Sequence, residues 1–292
     1  MLLNYVADTR IYGTHGAHGS CKEAIDAVLA HHFTPVLPDL LRSDDALVPL
    51  CLKVVSSVLE ARPSFVVQLQ DVGVLAKLFD FLSAEHVCNN SHSIRLCRNL
   101  VTHTTELPEF LRQLDVADKA HSVFSWAYSK AQTQFFEPLV DLLTVVTQRD
   151  AADIKGGVPG AGLSDVFIHD LDALLDLCEY EVEAVAVNAS ACVLTLARSF
   201  PRQCADTCLK GKIETLQLFA HLFSASRVPH RVTHNLLLAL THFASLRPNP
   251  RAAPSPDIRR LADCVSRLEA GGDAEIGNLA SSVESMLTEV MQ

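Results

Sequence analysis

Four residues near the end of the chain have the types and spacing of zinc ligands. Cys204, Cys208, His230 and His234 form a C-x3-C…H-x3-H set. Thiolates and imidazoles are the ligands that zinc prefers, and residues four apart share one face of a helix. However, residues 209–229 between the two pairs contain a complete apolar helix pattern. That pattern favours buried thiols and surface imidazoles, with zinc as the alternative, so we predict no metal site and no cofactor.

Two other patterns resemble ligand-binding or catalytic motifs but lack part of each motif. The stretch GTHGAHGSCK (13–22) places glycines before a helix, where phosphate binds well. A P-loop requires G-x-x-x-x-G-K-S/T after a strand, whereas Ser20 and Cys21 separate the last glycine from the lysine. We therefore expect residues 1–19 to be a flexible lead-in. The 13 histidines are spread along the chain, and no nucleophile motif accompanies them. We predict that the chain is not an enzyme.

Composition and charge narrow the class of protein. The 292 residues are 49% hydrophobic, which is ample for a large core, and the net charge is −10. A nucleic-acid binder needs a stripe of basic residues that releases the counterions of the phosphates. Basic residues are scattered singly here, so nucleic acid is not expected as a partner. No apolar run approaches the roughly 20 residues of a membrane span. MLLNYVADTR at the start lacks the basic region of a secretory signal. Nine cysteines, mostly inside apolar helix patterns, suit a reducing compartment. We expect a cytoplasmic protein without a membrane partner.

Apolar residues recur at intervals of three and four along nearly the whole chain, which indicates amphipathic helices. Period-two alternation, the strand signal, is almost absent. The predicted helices are 20–32, 45–61, 72–83, 91–103, 107–114, 116–129, 134–149, 164–178, 181–199, 201–210, 213–225, 230–246, 256–270 and 274–291. Two breaks stand out: the glycine-rich segment 150–163, predicted to be a mobile loop insertion, and the proline-rich segment 247–256. The fold class is all-α.

The helices repeat at a regular interval. Apolar helix centres recur roughly 40 to 50 residues apart, close to the armadillo and HEAT period. The segments 171–197 and 216–244 each comprise an apolar helix, a polar break and a second apolar helix. A third copy, 72–101, ends in L-x-x-N-L, which resembles the armadillo ending A-L-x-N-L. We predict an armadillo/HEAT-like right-handed α-solenoid that forms a single domain over residues 20–292.

The repeats also suggest a binding surface. Superposing the copies places Asn99 on Thr195 and His242. In armadillo proteins, asparagines on the inner face hold an extended partner chain, and that resemblance implies a similar role here. We predict that Arg95, Asn99, Thr195, Asn235 and His242 are partly exposed on the inner face and bind a partner. The alternative is ordinary polarity of a helix surface.

Three segments carry a narrower resemblance. The runs at 46–79, 94–101 and 214–223 resemble the C-terminal repeat region of the fused and unc-51-like kinase group, nearest to its pseudokinase branch. The kinase motifs V-A-I-K, H-R-D and D-F-G are missing. The resemblance implies a scaffold of the ciliary or flagellar axoneme, with axonemal or microtubule-associated partners and a fused-type kinase as a further candidate. The alternative is a docking subunit of a signalling complex outside cilia.

Overall fold

The structure is a computed structural model that describes residues 24–42, 47–106, 108–208, 213–225, 227–244, 256–269 and 273–291. Helices and the short segments that connect them account for all of these residues, and none of them lies in a β-strand. The predicted all-α class is therefore confirmed. The predicted lead-in at 1–19, the glycines of 13–22 and nearly all of the proline-rich break lie outside the described residues.

The chain divides into two compact units. Unit 1 ends at Lys130 and unit 2 begins at Ala131. Each unit has its own set of packed helices, and each is described by itself. A single domain over residues 20–292 stays a prediction.

Unit 1 consists of helices that mostly span two to four turns. Residues 24–36 are helical and include a π-helical turn, Leu29–Phe33, and a 3-10 turn, Thr34–Val36. The α-helices that follow are α1 Leu37–Leu40, α2 Val48–Ala61, α3 Phe65–Asp71, α4 Leu75–Asp80, α5 Ala84–Asn89, α6 His92–His103, α7 Pro108–Gln113 and α8 Val116–Ser129. Helix α2 packs along α6, and α4 and α5 also pack on α6.

The sequence of α2 explains both its helical form and its ends. Its buried apolar residues fall at intervals of three and four, so they form one stripe that faces the core: Cys51, Leu52, Val55, Val58 and Leu59. Pro49 lies in the first turn, where its missing N–H costs no hydrogen bond. The helix stops at Arg62 because Pro63 follows it, and Arg62 leaves the helical region at φ −145° and ψ 80°.

Unit 2 contains longer helices. Its α-helices are α9 Phe136–Lys155, α10 Leu171–Asp176, α11 Glu183–Ser199, α12 Pro201–Asp206, α13 Ile213–Ser224, α14 His230–Ala244, α15 Pro256–Glu269 and α16 Ala274–Met291. Helical 3-10 turns precede α9 and flank α10, at Thr133–Phe135, Leu163–Asp170 and Leu177–Glu179. Helix α16 packs on α14 and α15 and buries Ile276, Ala280, Val283 and Leu287.

The helices of each unit pack in rows. In unit 2, α9 packs on α11, α11 on α14 and α14 on α16, while α10, α13 and α15 form a second row. In unit 1, α2 and α6 pack in the same side-by-side manner. We call α2, α6, α9, α11, α14 and α16 the B helices. Each row stacks the apolar stripes of neighbouring repeats on one another, which is how a helical repeat protein builds a continuous core.

Polar contacts between neighbouring repeats confirm the predicted period. The interval between bonded residues is 39 for Lys119 and Asp80, 41 for Asn90 and Pro49, and 45 for Asn235 and Ser190. The other pairs in this range are Thr144–Asn188, Thr147–Cys192, Thr215–Asp172, His221–Glu179, Gln217–Asp257 and Ser224–Cys264. One repeat therefore occupies about forty residues, as the spacing of the apolar helices predicts.

The predicted loop insertion at 150–163 is wrong in its first half. Helix α9 continues to Lys155, and the irregular turn covers 156–162. Ala151 and Ala152 favour helix. The helix therefore ends at the glycines further along the chain and not near Asp150. Gly157 adopts φ +66°, the left-handed conformation typical of the residue that closes a helix.

Candidate functional site

The B helices of unit 1 begin side by side. The side-chain amide of Asn90, just before α6, donates to the carbonyl of Pro49 in the first turn of α2 over 3.3 Å. Since α2 and α6 also pack along their lengths, the two helices run in the same direction. About one turn further on, Lys53 of α2 and Arg95 of α6 are both exposed. Neither makes a hydrogen bond or an ion pair with another described residue.

His92 lies close enough to both cations to feel their charges. Burial lowers the pKa of His92, and the charges of Lys53 and Arg95 lower it further. Glu60 of α2 acts in the opposite direction but is the smallest of these influences on the pKa of His92. The field at the imidazole is therefore positive, although the whole chain has a net charge of −10.

The structure corrects the prediction that Asn99 is partly exposed, whereas Arg95 is exposed as predicted. Asn99 is only 3% exposed. Its Oδ1 accepts a hydrogen bond from Arg98 Nη1 over 3.2 Å, and its Nδ2 has no hydrogen-bond partner in the described part of the chain. The reason is packing: Asn99 borders the apolar stripe of α6, and the neighbouring side chains cover it. Whether Arg95 and Asn99 bind a partner stays a prediction.

The other three predicted residues lie on the B helices of unit 2 and are half-buried. The Thr195 hydroxyl donates to the carbonyl of Ala191 one turn earlier in α11, over 2.7 Å. The Asn235 amide donates from α14 to the hydroxyl of Ser190 in α11, over 3.0 Å. Both side chains therefore already have a bond within the unit, and Asn235 joins two neighbouring repeats.

The predicted superposition of Thr195 on His242 needs an offset of 47 residues between the two helices. The Asn235–Ser190 bond between α14 and α11 joins residues 45 apart, an offset smaller by two residues. His242 instead lies near Arg198. Burial lowers the pKa of His242, and the charge of Arg198 lowers it further.

A histidine next to a cation recurs on the B helices. His103 of α6 also has a lowered pKa, first through burial and then through Arg98. With His92 and His242, this gives three half-buried imidazoles that each lie near at least one lysine or arginine of a B helix. Positive charge therefore lies close to each of these three imidazoles, although the chain is acidic overall.

Lys53, His92 and Arg198 were not predicted from the sequence. A signal was present for Lys53, because it is the only basic residue of helix α2 and precedes Arg95 by about one repeat. For His92 and Arg198, the neighbours on the adjacent helix can be assigned only when the register between the two helices is known. That register is a property of the packing, so the helical period alone does not contain it.

The four residues of the zinc pattern are used in two different ways. Cys204 and Cys208 are buried, and burial raises the pKa of the Cys204 thiol to about 12. His230 and His234 approach carboxylates at the start of α16: the Nε2 atoms lie 2.9 Å from Asp273 and 3.1 Å from Glu275. Over the described ranges, no three histidine, cysteine, aspartate or glutamate side chains are grouped as metal ligands would be.

Two comparisons of the sequence yield nothing. No protein-family model matches the chain, and no curated protein matches it. Among the helices that the structure describes, none is both long and apolar enough to cross a membrane.

Comparison with solved structures does identify the fold. Computationally designed armadillo repeat proteins for modular peptide recognition superpose on 87% of this chain and 99% of their own, with 16% identity and a TM-score of 0.59. The fold is the armadillo-repeat fold. A designed armadillo repeat protein in complex with the peptide (KR)4 matches over 87% of this chain and 99% of its own, with 14% identity and a TM-score of 0.56. An engineered protein matches over 98% of this chain and 68% of its own, with 14% identity and a TM-score of 0.60.

Proposed function

We propose that the chain is a non-catalytic scaffold whose B helices bind an extended segment of a partner protein. One observation carries the proposal. Within each unit, neighbouring B helices pack side by side and leave polar side chains exposed or half-buried, among them Arg95 on α6 in unit 1 and Asn235 on α14 in unit 2. A row of polar groups repeated at the spacing of the helices suits an extended chain, whose own polar groups also recur regularly. The designed armadillo proteins of the same fold are described as peptide-recognition proteins, which supports the same use here.

The cellular setting is a further part of the proposal and rests on the sequence resemblance alone. The resemblance of 46–79 and 214–223 to the repeats of the fused and unc-51-like kinase group supports a role in assembling the axoneme of a cilium or flagellum. Partners would then be axonemal or microtubule-associated proteins, or a fused-type kinase. Localising a tagged copy, and testing whether it stays with axonemes after detergent extraction, distinguishes this setting from a signalling adaptor elsewhere in the cytoplasm.

Selection from a library of random linear peptides tests the binding function directly. We expect the folded chain to enrich a set of peptides, and the synthetic peptides to bind in solution by fluorescence anisotropy. Arg95→Glu in α6 and Asn235→Ala in α14 should each weaken at least some of them. Arg202→Glu is the matched control, because Arg202 is exposed on the short helix α12 and makes no bond with another described residue.

The variants must keep their helical circular dichroism spectrum for this comparison to count. Asn235→Ala removes the bond to Ser190, which is worth about 1 kcal/mol, so the protein should still fold. If no peptide is enriched, or if the enriched peptides bind both variants as well as they bind the control, the B helices are not the binding surface.

A further inference from the structure

The exposed face of unit 1 combines two cations without internal partners. Lys53 and Arg95 belong to adjacent parallel helices, and the Asn90–Pro49 bond brings them to nearly the same level. Two other cations of unit 1 have carboxylate partners: Lys119 lies 3.0 Å from Asp80, and Arg42 lies 3.5 Å from Asp39. Lys53 and Arg95 make no ion pair with a described carboxylate, although the charge of Glu60 also acts on His92 nearby, so both cations are available to a ligand.

A donor that lacks an acceptor lies one turn further along α6. Asn99 Nδ2 is buried and makes no hydrogen bond with the described residues. A buried amide donor without an acceptor costs free energy, and an acceptor oxygen from a ligand would remove that cost. Since the atom is covered, the Asn99 or Arg98 side chain has to move before a ligand oxygen reaches it. The two cations and this donor all favour a ligand rich in acceptor oxygens.

We propose that the face formed by α2 and α6 around Lys53 and Arg95 binds an acidic, extended peptide segment of a partner protein. The proposal rests on the proposed scaffold function and adds the sign of the partner's charge. Carboxylate side chains of an extended peptide recur every few ångströms and can reach both cations at once. A nucleic acid fits less well, because its backbone needs a longer stripe of basic residues than this acidic chain carries.

The charge distinguishes this surface from one of the designed proteins with the same fold. That protein is in complex with (KR)4, a peptide of alternating cations. Lys53 and Arg95 would repel such a peptide in unit 1. Two proteins of the same fold would then bind peptides of opposite charge. The preference of this chain between basic and acidic peptides can be measured directly.

Fluorescence anisotropy with four labelled probes tests the proposal: (ED)4, (KR)4, the neutral (SG)4 and a single-stranded oligo-dT. The full chain should bind (ED)4 most tightly, and binding should weaken as salt rises because exposed charges are screened within about 10 Å at 0.1 M. Lys53→Gln and Arg95→Gln should each weaken (ED)4 binding about two- to five-fold, the usual effect of one exposed ion pair. The double variant should lose about ten-fold, whereas Arg202→Gln should change little.

The outcomes separate this inference from the proposed function. Tighter binding of (SG)4 or (KR)4 than of (ED)4, or (ED)4 binding that the double variant does not reduce, overturns the acidic-peptide inference but leaves a peptide scaffold in place. Binding of oligo-dT without (ED)4 binding overturns it in favour of nucleic acid. If no peptide binds here and the random library also enriches none, the scaffold function itself fails.

Discussion

Replacing Asp150 by alanine should release the turn that follows helix α9. Asp150 is 1% exposed, and its carboxylate accepts three hydrogen bonds, one from the last residue of that turn, Gly162, and two from Ser164 just after it. Oδ1 accepts from the backbone N–H of Gly162 over 2.6 Å, and Oδ2 accepts from Ser164, from the N–H over 2.9 Å and from the hydroxyl over 2.6 Å. Gly162 adopts φ +97°, a conformation that suits glycine, and this directs its N–H toward the carboxylate.

The cost of the change follows from these contacts. A hydrogen bond to a charged group contributes about 1.5–3 kcal/mol, so three bonds would contribute at least about 4.5 kcal/mol if nothing opposed them. Burying the carboxylate opposes them by several kcal/mol. Removing the acceptor also leaves the donors of Gly162 and Ser164 without a partner. We expect Asp150→Ala to lower the free energy of unfolding by about 3–5 kcal/mol. The loss for Asp150→Asn should lie between zero and that value, because one acceptor oxygen remains.

Asp153 provides a matched control on the same helix. Burial raises the pKa of Asp153, the nearby Asp150 raises it further, and Arg149 only partly opposes them. Arg149 Nε lies 3.9 Å from Asp153 Oδ2, too far for a hydrogen bond, and that oxygen has no hydrogen-bond partner among the described residues. Its charged form is therefore poorly supported, and Asp153→Asn should change the free energy of unfolding by less than about 1 kcal/mol.

Urea unfolding followed by circular dichroism measures both changes, and limited proteolysis locates them. In the unmodified protein the turn at 156–162 should resist cleavage, and Asp150→Ala should make it the first segment to be cut. An Asp150→Ala loss no larger than that of Asp153→Asn would refute the reasoning. So would an unchanged rate of cleavage in the turn, because the carboxylate would then not be what holds it.

Two further predictions concern the end of the chain and its pH dependence. Deleting 273–292 removes the apolar face of α16 from α14 and α15, and should lower the melting temperature by several degrees, measured by differential scanning fluorimetry; unchanged melting would mean that α16 contributes nothing to the core. The pKa values of His92, His103 and His242 are lowered on folding, so the unfolded chain binds more protons between those values and about 6.5. The part of the stability that these three histidines contribute is complete above about pH 7 and falls on acidification through that window. Replacing the three histidines by glutamine should therefore reduce the slope of the free energy of unfolding against pH, measured by urea unfolding.

The helical pattern of the sequence was sufficient to predict most of the fold. Helix α8 spans Val116–Ser129, the predicted 116–129, and α6 begins one residue later than predicted. These helices are long, strongly periodic and bounded by turn residues, so local sequence and packing agree. At the end of α9, by contrast, the first half of a segment that looked like a loop is helical. The glycines do end the helix, but only after Lys155, because the alanines before them favour helix.

The candidate site was harder to predict because burial at the edge of a helix depends on the neighbour. Asn99 lies about 60° outside the apolar stripe of α6 on a helical wheel, and Arg95 lies further round. A residue in that border position is exposed or covered according to what packs beside it. The pattern therefore predicted the exposure of Arg95 correctly and that of Asn99 wrongly.

The register between repeats explains why superposed sequences mispaired Thr195 and His242. Turn lengths vary from repeat to repeat, so bonded partners are 41 residues apart between α2 and α6 but 45 apart between α11 and α14. Superposing the copies used an offset of 47 residues here, two more than the bond between α11 and α14 shows, which is about half a helical turn. His242 therefore lies near Arg198, at a different level along the helices from Thr195. A partner that contacts the B helices of unit 2 would meet the cation of Arg198 and the imidazole of His242 together, so variants of that surface should change those two residues as a pair.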